Sequence, residues 1–305
     1  MNNYLITIGG PTAIGKTSLS IALAKHYNAE IISCDSRQFY KEMEIGTAVP
    51  DEDELTAATH HFIQHKSIHD YYNVRDFETD AIKKLNELFK NNNIAIMVGG
   101  SGLYANAVLY GLDDIPEVDM SIREELNTLF AEQGLTPLQE KLKILDPVSY
   151  HTIAIDNPQR LIRAVEVSIG SGKPYSSFLN QKDVKRNFIP INISLTADRE
   201  IIYDRINKRV DIMVEIGLVD EVKSLVPFKK LNALNTVGYK ELFDHLAGEV
   251  SLEEAIELIK RNTRRFAKRQ LTWFKKDKSI EWFDYQTDLE KIIQHIDEQI
   301  KNACD

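Results

Sequence analysis

Gly10-Pro11-Thr12-Ala13-Ile14-Gly15-Lys16-Thr17 fits G-x-x-x-x-G-K-[ST] at every defined position. An apolar run at residues 4–8 precedes it and a helical pattern at 18–26 follows. That strand–loop–helix setting is the one the motif requires. Backbone N–H groups in such a loop converge on an anion, and the following helix adds its positive end, so the loop holds a polyphosphate. The expected cradle is Gly10, Pro11, Thr12, Ala13, Ile14 and Gly15, with Lys16 on the phosphates and Thr17 on a Mg²⁺ ion. The motif also carries the expectation of nucleotide binding, ATP in particular.

Further strands are expected at residues 30–33, 94–98, 189–195 and 279–283. Near-continuous apolar strands alternating with helices belong to a parallel sheet covered on both faces. The expected fold is therefore α/β, with a P-loop NTPase-like sheet core. Residues 115–187 break the rhythm and read as helices only, at 121–133, 137–145 and 158–169. Ser121 and Thr136-Pro137 are read as start signals. This gives a core of residues 1–114 and 188–305, interrupted by an inserted helical domain at 115–187. After the fourth strand Asp198 is expected to cap a helix, and the rest reads as mainly helical.

The 305-residue chain is 43% hydrophobic and 27% charged, which excludes a disordered or fibrous protein. No apolar run approaches the ~18 residues of a membrane span. The first ten residues show no basic region or cleavage site, so no secretory signal is expected. Two cysteines, Cys34 and Cys304, exclude a disulfide framework and point to the cytoplasm.

A phosphate loop does not identify a reaction. ATP-using proteins of this kind anchor Mg²⁺ through an Asp at the end of a later strand. Here the 94–98 strand ends in Gly99-Gly100-Ser101-Gly102, and the acid stands instead after the second strand, as Asp35. The hydrolytic apparatus is incomplete, which weakens the reading as a small-molecule kinase and admits diphosphate as a leaving group. Asp35 falls at the carboxyl edge, where parallel sheets bind ligands. A carboxylate there takes a proton from a nucleophile or caps a turn; position alone serves both.

Beyond the loop, the motifs are Asp35-Ser36-Arg37-Gln38-Phe39-Tyr40, Ile45-Gly46-Thr47-Ala48-Val49-Pro50, His60-His61, and Val98-Gly99-Gly100-Ser101-Gly102-Leu103-Tyr104. Later ones are Asn157-Pro158-Gln159-Arg160-Leu161-Ile162-Arg163-Ala164-Val165-Glu166-Val167, Val237-Gly238-Tyr239-Lys240-Glu241, and the stretch at 263–274. In this order and spacing the chain resembles the bacterial tRNA dimethylallyltransferase family. The resemblance implies transfer of a dimethylallyl group from dimethylallyl diphosphate to N6 of adenosine 37, in tRNAs reading codons that begin with U. It implies that the loop binds the donor's diphosphate, that Asp35 is the general base, and that Ser101 hydrogen-bonds the diphosphate near the breaking bond. It places Asp35, Ser36, Arg37, Gln38, Ser101, Arg123, Gln159, Arg160, Leu161, Ile162 and Arg163 against the tRNA anticodon stem-loop. Two positions depart from the family: Ser101 replaces the usual Thr but keeps a hydroxyl, and Val49 replaces a Lys, so any phosphate contact by that Lys is lost. A monomer is expected.

Three other features stand out. His61, His65 and His69 have helical spacing that could bind zinc, but no cysteine or acid completes a site, so packing or surface exposure is favoured. Arg205 and Arg209 share a helix face, and Arg209 is favoured as a diphosphate clamp. Residues 260–278 hold nine basic residues against one acid, a local charge of +8 that leaves −17 on the rest of a −9 chain. With Phe266, Trp273 and Phe274 interleaved, the 261/264/265/268 stripe reads as a nucleic-acid-backbone surface. The overall acidity averages two unlike surfaces. A non-catalytic tRNA-binding protein is a third alternative, which the intact loop and Asp35 disfavour.

Overall fold

The apolar runs pair into one six-stranded sheet of β1 (Tyr4–Gly9), β2 (Ile31–Ser33), β3 (His60–His61), β4 (Ile94–Val98), β5 (Ile189–Thr196) and β6 (Glu281–Asp284). The computed structural model describes residues 2–180 and 184–303; Cys304 lies outside the described residues. The spatial order is β3-β2-β4-β1-β5-β6, and every pairing is parallel. The fold is α/β.

Register decides where the site forms. Ile8 pairs with Val98, Val98 with Ser33, and Gly9 with Ser194, so the central strands end level. Alternate side chains point to opposite faces. Tyr4, Ile6 and Ile8 enter one core with Ile96, Ile191 and Ile193, while Leu5 enters the other with Ala95 and Met97. The sheet is buried on both sides, which fixes the loops at its carboxyl edge.

The chain divides into two compact units, residues 1–110 with 186–305, and residues 111–185. In the first unit lie α1 (Lys16–Tyr27), α2 (Glu52–Ala57), α3 (Val74–Leu88) and α4 (Gly102–Tyr110). The second unit holds α5 (Met120–Gln133), α6 (Thr136–Leu145), α7 (Pro147–Thr152) and α8 (Pro158–Ser171). The first unit resumes with α9 (Arg199–Glu215), α10 (Leu218–Ser224), α11 (Tyr239–Leu246), α12 (Leu252–Phe274) and α13 (Leu289–Asn302). The helical unit has its own core of Leu126, Leu138, Leu142, Leu161, Ala164 and Val165.

Several expected start signals are displaced. Asp119, not Ser121, caps α5, because its carboxylate accepts from the Ser121 N–H. Thr136 is already inside α6, which begins on the backbone carbonyl of Leu135 without a side-chain cap. Asp198 precedes α9 but makes no side-chain cap bond. Two short elements escape the periodicity, α7 and the two-residue β3. That strand also overturns helical spacing for the histidines: His60 and His61 are extended, and residues 62–73 contain no helix.

Candidate active site

The phosphate loop folds as its composition demands. Gly10 at φ 126° and Gly15 at φ 110° occupy backbone space that residues with a Cβ rarely enter, and Ala13 adds a third left-handed turn at φ 63°. Gly15 then starts α1, so Lys16 and Thr17 form its first turn. The loop lines a cleft of about 520 Å³ that also takes in Ser33, Asp35 and Gln38 after β2, residues 47–51, Val98 and Gly99, and Arg205, Lys208 and Arg209 of α9.

Lys16 is half-buried, and its ammonium donates to the Pro11 carbonyl at 2.7 Å. Burial pushes its pKa down to about 8, against the pull of Asp35, with Arg209 adding to the depression. Arg209 is likewise pushed down by burial and held up by the charges of Asp35 and Glu54. Arg205 donates through Nε to the Ala13 carbonyl at 2.7 Å and lies over the Tyr285 ring. Three cations thus converge on a loop built to bind phosphate, as electrostatic stabilisation of an anion requires.

Asp35 reaches the same cleft from just past the end of β2, one strand beyond β4 in the sheet. Gly99 allows this: a Cβ there would sit 2.6 Å from Cys34 Sγ and 2.9 Å from the Asp35 backbone nitrogen. Oδ1 of Asp35 accepts the Arg37 N–H at 3.1 Å, so the residue does cap its turn. Oδ2 faces the Gly100 side, where Gln270 also lies. The neighbouring Cys34 thiol is pushed by burial up to about 12, which removes it as a nucleophile.

Other expected residues fall into different roles. Gln38 lines the cleft, accepts from Ser33 Oγ, and donates to the carbonyls of Thr47 and Ala48 at 3.3 and 2.8 Å. Ser36 and Ser101 pair with each other, Oγ to Oγ at 3.2 Å, and neither lines the cleft. The Arg37 guanidinium donates to the carbonyls of Asn232, Ala233 and Asn235, so its fork is a brace between loops. Val49, at the position where a Lys was the family expectation, lines the cleft as an apolar wall.

In the helical unit Gln159 and Arg160 are exposed. Leu161 and Ile162, expected against nucleic acid, are instead buried at 0% and 7% exposure in the unit's core. The reason is helical period: α8 turns one face inward, and these positions lie on it. Arg123 and Arg163 both bind the buried carboxylate of Glu166, at 2.6 and 2.7 Å.

The basic helix also divides. Arg264 donates to Asn207, and Lys260 pairs with Asp211 and Glu257, so these two face α9 or their own helix. Arg261, Arg265, Lys268 and Arg269 remain exposed. The inward face carries Gln270, which sequence reading missed. Its Oε1 accepts the Thr12 N–H at 2.9 Å and its Nε2 donates to the Gly100 carbonyl at 3.0 Å. One buried amide therefore ties the phosphate loop to the turn after β4. Its signal was available: 267, 270 and 274 share a face whose other members are Ala and Phe. Gln270→Leu leaves the buried Gly100 carbonyl and the part-buried Thr12 N–H without this partner, at ~1–3 kcal/mol for the buried group and less for the other. The expected result is a loss of ~2 kcal/mol in urea unfolding.

The histidines form no metal centre. Among the described residues no group of three His, Cys, Asp or Glu could hold an ion. His61 pairs with Glu30 at 2.7 Å, and His65 packs edge-on against Phe39, Phe62 and Tyr72, where burial pushes it down to about 4. Among the described residues no helix is long and apolar enough to cross a membrane.

Comparison with known proteins places this geometry. The family described as IPP transferase matches residues 38–277. The chain is 62% identical to the tRNA dimethylallyltransferase of Christiangramia forsetii, over 98% of this chain and 99% of that protein. It is 58% identical to that of Flavobacterium johnsoniae, over 98% and 99%. Among solved structures it is similar to the tRNA isopentenylpyrophosphate transferase of Bacillus halodurans, at TM-score 0.71 and 40% identity over 99% of this chain and 96% of that one. A eukaryotic dimethylallyltransferase acting on tRNA aligns at TM-score 0.77 and 27% identity, over 95% of this chain and 75% of the other.

Proposed function

The chain belongs to the IPP transferase family and is a tRNA dimethylallyltransferase; on that premise we propose that it joins the dimethylallyl group of dimethylallyl diphosphate to N6 of adenosine 37, in tRNAs reading codons that begin with U. The observation that carries this reading is the single cleft in which Lys16, Arg205 and Arg209 surround a phosphate loop while Asp35 enters from just past the end of β2.

An exocyclic adenine amine is a weak nucleophile because its lone pair is delocalised into the ring. As N6 attacks the allylic carbon, the C–O bond to diphosphate breaks and the nitrogen gains positive charge. Asp35 accepts the N6 proton, which relieves that charge. Lys16, the loop N–H groups and the two arginines stabilise the negative charge that collects on the departing diphosphate. The target base leaves its stack to reach such a site. Thr17 offers a hard oxygen beside the loop, and one protein oxygen plus substrate phosphates is an ordinary Mg²⁺ site. When bound there, Mg²⁺ supplies charge neutralisation at the diphosphate. Exposed Arg261, Arg265, Lys268 and Arg269 on α12, and Gln159 and Arg160 on α8, are proposed to meet the tRNA backbone.

The depressed pKa of Lys16 sets a pH dependence. Donor capture needs the ammonium form, which is lost as pH rises through about 8 in the free enzyme. The expected profile of kcat/KM for dimethylallyl diphosphate falls above about pH 8, by up to tenfold per pH unit. A flat profile to pH 9.5, about one unit short of the ordinary lysine value, would contradict a depressed Lys16 pKa.

The reading is tested with purified protein, Mg²⁺, dimethylallyl diphosphate and unmodified tRNA. Prenylated tRNA is the expected product. ATP-dependent phosphorylation, with ATP binding that dimethylallyl diphosphate does not displace, would favour the small-molecule kinase instead.

A further inference from the structure

One cleft wall is held from a distance. Residues 44–46 present three successive N–H groups to a single carboxylate, that of Glu221 on α10. Glu44 N and Ile45 N donate to Oε2 at 3.0 and 2.7 Å, and Gly46 N donates to Oε1 at 3.0 Å. Tyr239 Oη supplies a fourth donor to Oε1, at 2.6 Å. The Tyr239 ring is fully buried and lies so close to Gly46 that a Cβ there would meet it at 2.6 Å. The chain then runs directly into residues 47–51, which line the cleft together with the phosphate loop. The far side of that wall is pinned by Gln38, whose amide binds the Thr47 and Ala48 carbonyls while accepting from Ser33 Oγ. Ser33 Oγ in turn accepts the Asp35 N–H at 3.3 Å.

We propose that Glu221 is a positioning residue for the donor: its carboxylate, seated on three amides and the Tyr239 hydroxyl, sets the wall formed by residues 47–51. It lies outside the cleft lining. Charge-assisted bonds to backbone N–H are the stronger kind, and four on one carboxylate leave its loop a single conformation. The consequence is selective. The wall shapes the pocket that receives dimethylallyl diphosphate, whereas Asp35 sits in the turn after β2 and keeps its own turn bond to Arg37. This inference rests on the prenyl-transfer reading above.

Glu221→Gln separates the roles. The amide keeps one acceptor oxygen but turns an NH₂ group toward a backbone N–H, so donor faces donor. The expected result is a rise of about tenfold in KM for dimethylallyl diphosphate, the size of one lost charge-assisted bond, with kcat and KM for tRNA unchanged. Hydrogen exchange should quicken in a peptide spanning 43–48 and stay slow in β1. The same outcome, smaller, is expected for Tyr239→Phe, which deletes one donor and keeps the ring, and which carries the test alone if Glu221→Gln does not fold. Unchanged donor KM in the folded variant, or equal losses in kcat and both KM values, overturns the inference. Wild-type protein is run in parallel: its failure to make prenylated tRNA would defeat the activity reading, whereas exchange at 43–48 reports on the clamp independently.

Discussion

Asp35→Ala lowers kcat by about 10²–10⁴-fold, the range that general-base catalysis supplies, while affinity for dimethylallyl diphosphate is retained. The separation follows from geometry. Asp35 enters the cleft from the turn after β2, whereas the donor's diphosphate is assigned to the loop after β1 and to α9. Removing the carboxylate leaves every phosphate-binding side chain in place and deletes the proton acceptor at N6, together with the turn bond to the Arg37 N–H and the charge that holds Lys16 up. Asp35→Asn refines the experiment, because the amide retains an acceptor for the Arg37 N–H and preserves the turn. If loss of the turn cap were the whole effect, Asn would rescue turnover; the account expects Asn to be as slow as Ala. Single-turnover measurement with saturating donor and tRNA checks both variants.

Lys16→Ala is expected to lower kcat/KM for the donor by about 10²–10³-fold, as for loss of one preorganised charge stabiliser, and to leave tRNA affinity unchanged. The ammonium lies in the loop's first helical turn, and tRNA is assigned to α8 and to the exposed face of α12. Retained tRNA binding therefore distinguishes a damaged donor site from an unfolded protein. Stability gives a second control. The native pKa of Lys16 lies below its ordinary 10.5, at about 8. Between those two values the unfolded state binds more protons, so Lys16 makes stability rise with pH there, and the buried charge disfavours the native state below pH 8. Lys16→Ala should accordingly hold or raise Tm at pH 7 while it loses catalysis.

Local signals carried much of this architecture. The loop was legible because its glycines, lysine and flanking elements all lie within one short stretch. The sheet was legible because its strands are apolar on both faces. Asp35 could be placed at the carboxyl edge from the end of an apolar run alone. What escaped depends on distance or on fine helical phase. Gln270 and Glu221 act on segments far away in sequence, and nothing local to either marks its partner. Leu161 and Ile162 differ from expectation because a contiguous motif need not be a contiguous surface: α8 buries both of them directly beside exposed Gln159 and Arg160. The Arg264 end of the basic stripe was misread for a related reason. A charge run shows composition, but α9 decides which of its members face solvent. The helical spacing at His61, His65 and His69 is not realised because the two-residue β3 leaves no periodic trace, while the packing favoured for these residues agrees with the structure.

The central claim is that this chain alkylates N6 of adenosine 37 and that Asp35 takes the proton. Mass analysis of tRNA nucleosides tests it most directly, using cells that carry the intact gene, lack it, or express Asp35→Ala in its place. The account predicts dimethylallyl-adenosine in the first, none in the second, and little or none in the third. Undiminished dimethylallyl-adenosine in the cells lacking the gene would contradict the activity, and full restoration by Asp35→Ala would contradict the mechanism.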